Sequence, residues 1–299
     1  MPTHTGGVGA GVYALLLTPF TQSKEIDFPA YERYVEWQVS HGPDALFGVC
    51  GSSEMAFLNL GERVKLAALA VQRAGGTPVV ATANLEPSWE AQVEEVKRIT
   101  AVGVQGLIFI TKGYGADQER MYTYLRELAG HTPLPIVLYE CPIAKPHLMR
   151  GETYGRLAAA GRFAAIKDTT CTMAGIREKI AVQGDSAVLQ ANIPLLQDAY
   201  EAGARGTAST PTTCGAQLFI RQWAAMRRGD LEAARQAHKH ILLLDSILKG
   251  DFPASAKYLA SLQGAKMEWT TRSGAVLTEA RLRAIELWYE WGRELFDSE

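Results

Sequence analysis

Phe163-Ala164-Ala165-Ile166-Lys167-Asp168-Thr169-Thr170 is a run of four apolar residues that ends on a lysine, with an acid and two hydroxyl residues behind it. A short apolar run closed by polar, turn-like residues reads as a buried strand of a parallel sheet. A lysine at the end of such a strand meets a pocket rimmed by loops rather than open water. In water an amine with a pKa of about 10.4 is almost wholly protonated at pH 7. Burial against apolar neighbours lowers that pKa and makes the amine a nucleophile toward carbonyls. Lys167 is therefore a candidate Schiff-base former. The competing reading is a strand-end lysine that snorkels outward.

Outward from this stretch, apolar runs alternate with helical periods. Upstream, strands are expected at Val12–Leu17, Ala45–Val49, Pro78–Ala83, Gly106–Ile110 and Pro135–Tyr139. Helices are expected between them at Asp27–His41, Gly61–Arg73, Pro87–Val102, Asp117–Ala129 and Glu152–Ala160, with Asp27 as an N-cap. Downstream come a helix at Met173–Val182, a strand at Ala187–Gln190, a helix at Pro194–Ala202, a strand at Gly206–Ser209 and a helix at Gly215–Arg228. Alternation of this kind implies a parallel sheet, and eight strand–helix units are what a (β/α)8 TIM barrel requires. A doubly wound open sheet competes, but no Gly-x-Gly-x-x-Gly turn follows the first strand. After Gly229-Asp230 the pattern is all helical, over Leu231–Lys249, Pro253–Leu262 and Thr278–Phe296. The reading is a barrel over residues 1–228 with its active site at the C-terminal ends of the strands, and a three-helix appendage over 229–299.

The 299 residues are 47% hydrophobic and 21% charged, a globular composition. A net charge of -2 without a basic run argues against nucleic acid and against an anionic membrane surface. No apolar run approaches the length of a membrane span. Met1 to Gly9 is polar and glycine-rich, lacks the apolar core of a signal peptide and reads as a loose arm. Four cysteines, Cys50, Cys141, Cys171 and Cys214, form no Cys-x-x-Cys pair, so reduced thiols in a cytoplasm are expected. All four fall at or just after strand ends, yet their scattered spacing suits zinc poorly. Neither a metal nor a cofactor is expected.

The strand ends hold the informative residues. Strand one ends Leu17-Thr18-Pro19-Phe20, and strand two leads to Gly51-Ser52-Ser53-Glu54. Strand five ends Leu138-Tyr139-Glu140-Cys141-Pro142, and strand six ends at Lys167. With Ile26-Asp27, Leu60-Gly61-Glu62-Arg63 and Pro253 to Lys257, these stretches resemble the dihydrodipicolinate synthase / N-acetylneuraminate lyase family of class I, pyruvate-type aldolases. The resemblance covers nearly the whole chain. It implies that Lys167 attacks the ketone of a 2-oxo acid, forming an iminium that drains electrons from the neighbouring bond. It further implies that Tyr139 moves the protons and that the chain assembles as a homotetramer of two tight dimers.

A keto acid's carboxylate needs donors, and Ser52 and Ser53 offer hydroxyls and backbone N–H groups ahead of a helix. Thr18 is a further candidate contact. The family usually has Gly-Thr-Thr-Gly-Glu at this loop, whereas this chain reads Cys50-Gly51-Ser52-Ser53-Glu54. Lysine-pathway synthases of the family read Tyr-Asn-x-Pro-x-Arg after strand five, where the arginine grips the second substrate's carboxylate. Here Glu140 stands for the asparagine and Ala144 for the arginine; Lys145 is one residue on and offers only a less directional point charge. Tyr114, in Thr111-Lys112-Gly113-Tyr114, is a candidate for a proton relay across a subunit interface. Gln190 and Asn192 after strand seven, and Ser209 and Thr210 after strand eight, suit the hydroxyls of a polyol chain. The first reading is a lyase joining or parting pyruvate and an aldehyde, by way of a 2-oxo-3-deoxy sugar acid. The alternatives are the lysine-pathway synthase, which Ala144 disfavours, a sugar-acid dehydratase, and a non-catalytic keto-acid binder.

Overall fold

The computed structural model describes residues 7–297. Eight parallel strands close into a barrel in chain order. They are β1 (Gly11–Leu15), β2 (Ala45–Gly48), β3 (Val79–Thr82), β4 (Gly106–Ile110), β5 (Ile136–Tyr139), β6 (Phe163–Asp168), β7 (Ala187–Gln190) and β8 (Gly206–Thr207). Helices α1 (Phe28–Ser40), α2 (Leu60–Arg73), α3 (Trp89–Ala101), α4 (Gln118–Ala129), α5 (Gly151–Ala159), α6 (Met173–Ile180), α7 (Leu196–Glu201) and α8 (Thr212–Arg228) follow the strands in turn. The tail adds α9 (Leu231–Leu248), α10 (Ala254–Ala260) and α11 (Glu279–Asp297). The expected TIM barrel is the observed one.

Local chemistry explains the element boundaries. Nearly every strand residue is buried, as expected for strands packed on both faces. Helix starts are capped by short polar side chains: the Asp27 carboxylate accepts from Ala30 N at 2.9 Å, and Ser88, Asp117, Thr172 and Asp230 do the same at α3, α4, α6 and α9. At α2, Asn59 and Glu62 form a reciprocal capping box. β8 is shorter than the sequence suggested, ending at Thr207. A Cβ at Gly206 would lie 2.1 Å from the Gly11 carbonyl oxygen, so only glycine permits this approach. The next helix starts before Gly215, which is itself non-helical; a Cβ there would meet Leu244 of α9 at 2.4 Å.

The chain forms two compact units, one built on Pro78–Ala208 with the residues up to Gly11, the other on Val12–Thr77 with Ser209–Glu299. In the first, β3 to β8 run side by side in parallel register. In the second, the tail helices α9, α10 and α11 pack on α8, and the turn after α10 packs on α1. Among the described residues no helix is long and apolar enough to cross a membrane.

Candidate active site

Tyr139 and Lys167 are register partners at the ends of β5 and β6. Partners in a parallel pair point to the same face of the sheet, and the Lys167 Nζ lies 4.4 Å from the centre of the Tyr139 ring. Both side chains are buried, Lys167 at 4% exposure and Tyr139 at 6%. The nucleophile and the proton carrier expected from the sequence are thus brought together.

The residues that follow them, Glu140 and Asp168, point to the other face. Both are fully buried and converge on Lys179 of α6. Its Nζ lies 2.6 Å from a Glu140 oxygen and 2.6 Å from an Asp168 oxygen, and donates to Thr170 Oγ1 at 2.5 Å. Glu140 also accepts from Met149 N at 2.7 Å and Thr169 N at 2.9 Å. Asp168 accepts from Thr170 N at 3.0 Å, Thr170 Oγ1 at 3.0 Å and Gln190 Nε2 at 3.1 Å. Burial pushes the Glu140 carboxyl up, opposed by the charge of Lys179. The N–H groups around both carboxylates donate to them, as does the Thr170 hydroxyl. The two carboxylates in turn hold the Lys179 ammonium charged, keeping it above its ordinary value against the cost of burial. Sequence reading missed Lys179, because a lysine in the last turn of a helix ordinarily faces water.

The rim residues of this unit are largely committed within the chain. Gln190 donates to Asp168 and accepts from Asn192 N at 2.6 Å. Asn192 donates to the Cys171 sulfur at 3.1 Å. These bonds compete with the polyol contacts anticipated for the pair. Tyr114 lies in a single turn, Tyr114–Ala116, half-buried with its ring 5.2 Å from that of Tyr124 and under the Arg120 guanidinium. The loops after β4 and β5 are joined here: Gly115 N donates to Pro146 O at 2.8 Å and Thr111 Oγ1 to His147 O at 2.7 Å. Ala144, at the position of the family's arginine, is half-buried, and Lys145 is exposed.

In the second unit the loop after β2 carries Ser52 and Ser53, both buried. Ser53 Oγ donates to Leu16 O at 2.6 Å and accepts from Cys50 N at 2.9 Å, while its own N–H donates to Cys50 O. Thr18 Oγ1 donates to Ser53 O at 2.8 Å. Both hydroxyls therefore fasten the loop to the end of β1, where the sequence suggested substrate donors. The Ser52 hydroxyl has no partner among the described residues. Ser209 is fully buried and Thr210 half-buried; their carbonyls accept from Thr212 and Thr213 at the start of α8.

The loop is strained. Val49 and Glu54 have φ of 51° and 59°, and left-handed backbone at a β-branched residue is a marked outlier. What holds it is the Glu54 carboxylate, which accepts from Lys257 Nζ at 2.7 Å, Arg272 N at 2.8 Å and Ser273 N at 2.7 Å. Lys257 is fully buried, with Phe20's ring beside its Nζ; burial pulls its ammonium down to about 8 against the pull of Glu54. Arg272 completes the latch by pairing in a fork with Glu62 at 2.9 Å. The sequence pointed to Pro253–Lys257 as part of the resemblance but gave no hint of this partner. The four cysteines remain free thiols, and among the described residues no three His, Cys, Asp or Glu side chains gather as a metal site.

With this geometry in hand, the model of the Dihydrodipicolinate synthetase family matches residues 9–283. A 4-hydroxy-tetrahydrodipicolinate synthase of Acidiphilium cryptum is 28% identical over 274 residues, 90% of this chain and 94% of its own. Another, of a Chelativorans species, is 29% identical over 275 residues, 90% and 93% of the two chains. The crystal structure of dihydrodipicolinate synthase from Thermotoga maritima superimposes with a TM-score of 0.87 at 25% identity, over 95% of this chain and 99% of that one.

Proposed function

Since the chain belongs to the dihydrodipicolinate synthetase family, we propose that it is a class I lyase that uses Lys167 to form a Schiff base with pyruvate. The neutral amine adds to the ketone carbon and the ketone oxygen leaves as water. The iminium withdraws electrons from the methyl C–H bond, and loss of that proton gives an enamine. The enamine carbon adds to an aldehyde, whose oxygen takes up a proton; water then releases the product and the lysine. Run backward, the same steps cleave the bond. Tyr139 carries the protons, and Ser52, whose hydroxyl is uncommitted, takes the keto acid's carboxylate. The observation that carries the reading is the Lys167 amine 4.4 Å from the Tyr139 ring at adjoining strand ends. Pyruvate with borohydride should add a reduced three-carbon unit to the peptide containing Lys167. Labelling of another lysine, or of none, would refute the mechanism.

The aldehyde is the finer question. Ala144 offers no fork for a carboxylate, and a buried unpaired anion is costly. We assign the chain to neutral hydroxyaldehydes and 2-oxo-3-deoxy sugar acids. A second reading, the lysine-pathway synthase, is favoured by the names of the curated relatives. With pyruvate saturating, kcat/KM for glyceraldehyde should exceed that for aspartate semialdehyde; the reverse order would give the synthase first place. The proposal extends to a homotetramer working in the cytoplasm, without nucleic acid or membrane as partner. Gln190, Asn192, Ser209 and Thr210 remain proposed substrate contacts only through groups their internal bonds leave over.

A further inference from the structure

Glu140 follows Tyr139 and Asp168 follows Lys167 on neighbouring strands, and one ammonium, that of Lys179, lies 2.6 Å from each of those carboxylates. We propose that Lys179 is a positioning residue, which sets the approach of the Tyr139 hydroxyl to the Lys167 amine by tying together the residues behind them. The inference rests on the Schiff-base reading above and goes beyond it.

The chain of connection is short. Consecutive residues of a strand point to opposite faces, so a carboxylate fixed on one face fixes the backbone that aims its neighbour on the other. Tyr139 and Lys167 are register partners, and Glu140 N donates to Lys167 O at 3.3 Å, continuing the ladder past them. The Lys179 side chain leans toward the N-terminus of α6, as helical side chains do, and so reaches the strand ends. The carboxylates then recruit the flanking loops: Met149 N and Thr169 N bind Glu140, while Thr170 and Gln190 bind Asp168. Thr169 Oγ1 closes the ring on Glu140 O at 2.8 Å. Stability alone does not call for this arrangement. Buried ion clusters are often matched or bettered by apolar residues of the same volume, whereas their directional bonds fix geometry. Glu140 and Ala144 are the two departures from the synthase pattern in one loop, so the cluster accompanies the changed loop.

Three variants test the proposal. Glu140→Gln is isosteric and keeps the Lys179–Asp168 pair while loosening the link behind Tyr139. Lys179→Met removes the tie altogether, and Lys179→Arg restores the charge. Borohydride trapping of pyruvate, read by mass spectrometry, counts competent Lys167 sites in each. Per trapped site, Glu140→Gln and Lys179→Met should lower kcat by about 100-fold, the effect of a misplacement on the order of 1 Å. The KM for pyruvate should change little, and Lys179→Arg should recover part of the loss. Wild-type kcat per trapped site with a lowered Tm would overturn the proposal, because it would show a structural tie only. Failure of Glu140→Gln to fold would count against it on the same ground. A wild-type protein that traps no pyruvate on Lys167 would refute the underlying reading instead.

Discussion

At the scale of the residue, the proposed function divides the work of one loop between two adjacent serines. The Ser53 hydroxyl makes two internal bonds, whereas that of Ser52 has none among the described residues. Ser53→Ala should therefore lower stability by about 1–3 kcal/mol, the cost of stranding buried partners, read as a fall in Tm. Ser52→Ala should leave Tm in place and raise the pyruvate KM by about 10- to 100-fold, the worth of a hydrogen bond to a charged group. Equal effects of the two on KM would contradict this division. Tyr139→Phe should reduce kcat by about 10²–10⁴-fold with the imine still trappable on Lys167. Lys167→Arg keeps the charge and should abolish both trapping and turnover. That Lys167 and Tyr139 meet was legible from their strand ends, where the backbone fixes the direction of a side chain, while their roles were implied by the resemblance. Thr18, Ser53 and Gln190 were legible as polar residues near a site, but not by task. Their hydroxyl and amide partners are carbonyls and carboxylates that only the folded chain brings near.

Among the elements, the strands and helices followed their periodicity, and the departures lie where backbone meets backbone. β8 stops early where Gly206 abuts Gly11, and the helix after it breaks at Gly215 under Leu244. No one-dimensional pattern carries either approach. The latch between the β2 loop and the segment after α10 was equally hidden, since Glu54 and Arg272 are distant in sequence. It has a testable pH dependence. Arg272 holds the Glu62 carboxyl below its ordinary value of 4.5, chiefly through their hydrogen bonds. A carboxyl depressed on folding adds stability above that ordinary value and loses it as the pH falls through the folded value. Arg272→Ala should accordingly lower Tm at pH 7, and its deficit should shrink as the pH is taken below 4.5. Some deficit should persist in acid, because Arg272 also donates to the carbonyls of Lys24 and Phe57. A deficit independent of pH would place the role of Arg272 in those carbonyl bonds alone.

For the whole molecule, the proposed tetramer predicts a single species larger than a monomer in sedimentation at micromolar concentration. Monomer alone, with full activity, would contradict it. The barrel class was legible from eight strand–helix units in a row together with the missing Gly-x-Gly-x-x-Gly turn that a doubly wound sheet would carry after its first strand. The grouping of the tail with the first two strands was not, since composition does not record which helix a distant loop needs. One consequence reaches beyond the folded state. The strained loop that presents Ser52 follows β2, yet the groups that hold Glu54 are Lys257, Arg272 and Ser273, 203 to 219 residues later. During synthesis the loop's serines emerge long before the clasp that keeps them in place. A nascent chain halted before Arg272 should carry every residue assigned to the chemistry and still lack a set carboxylate site. The protein would then gain its activity only once Arg272 and Ser273 have been made, with no working form before them.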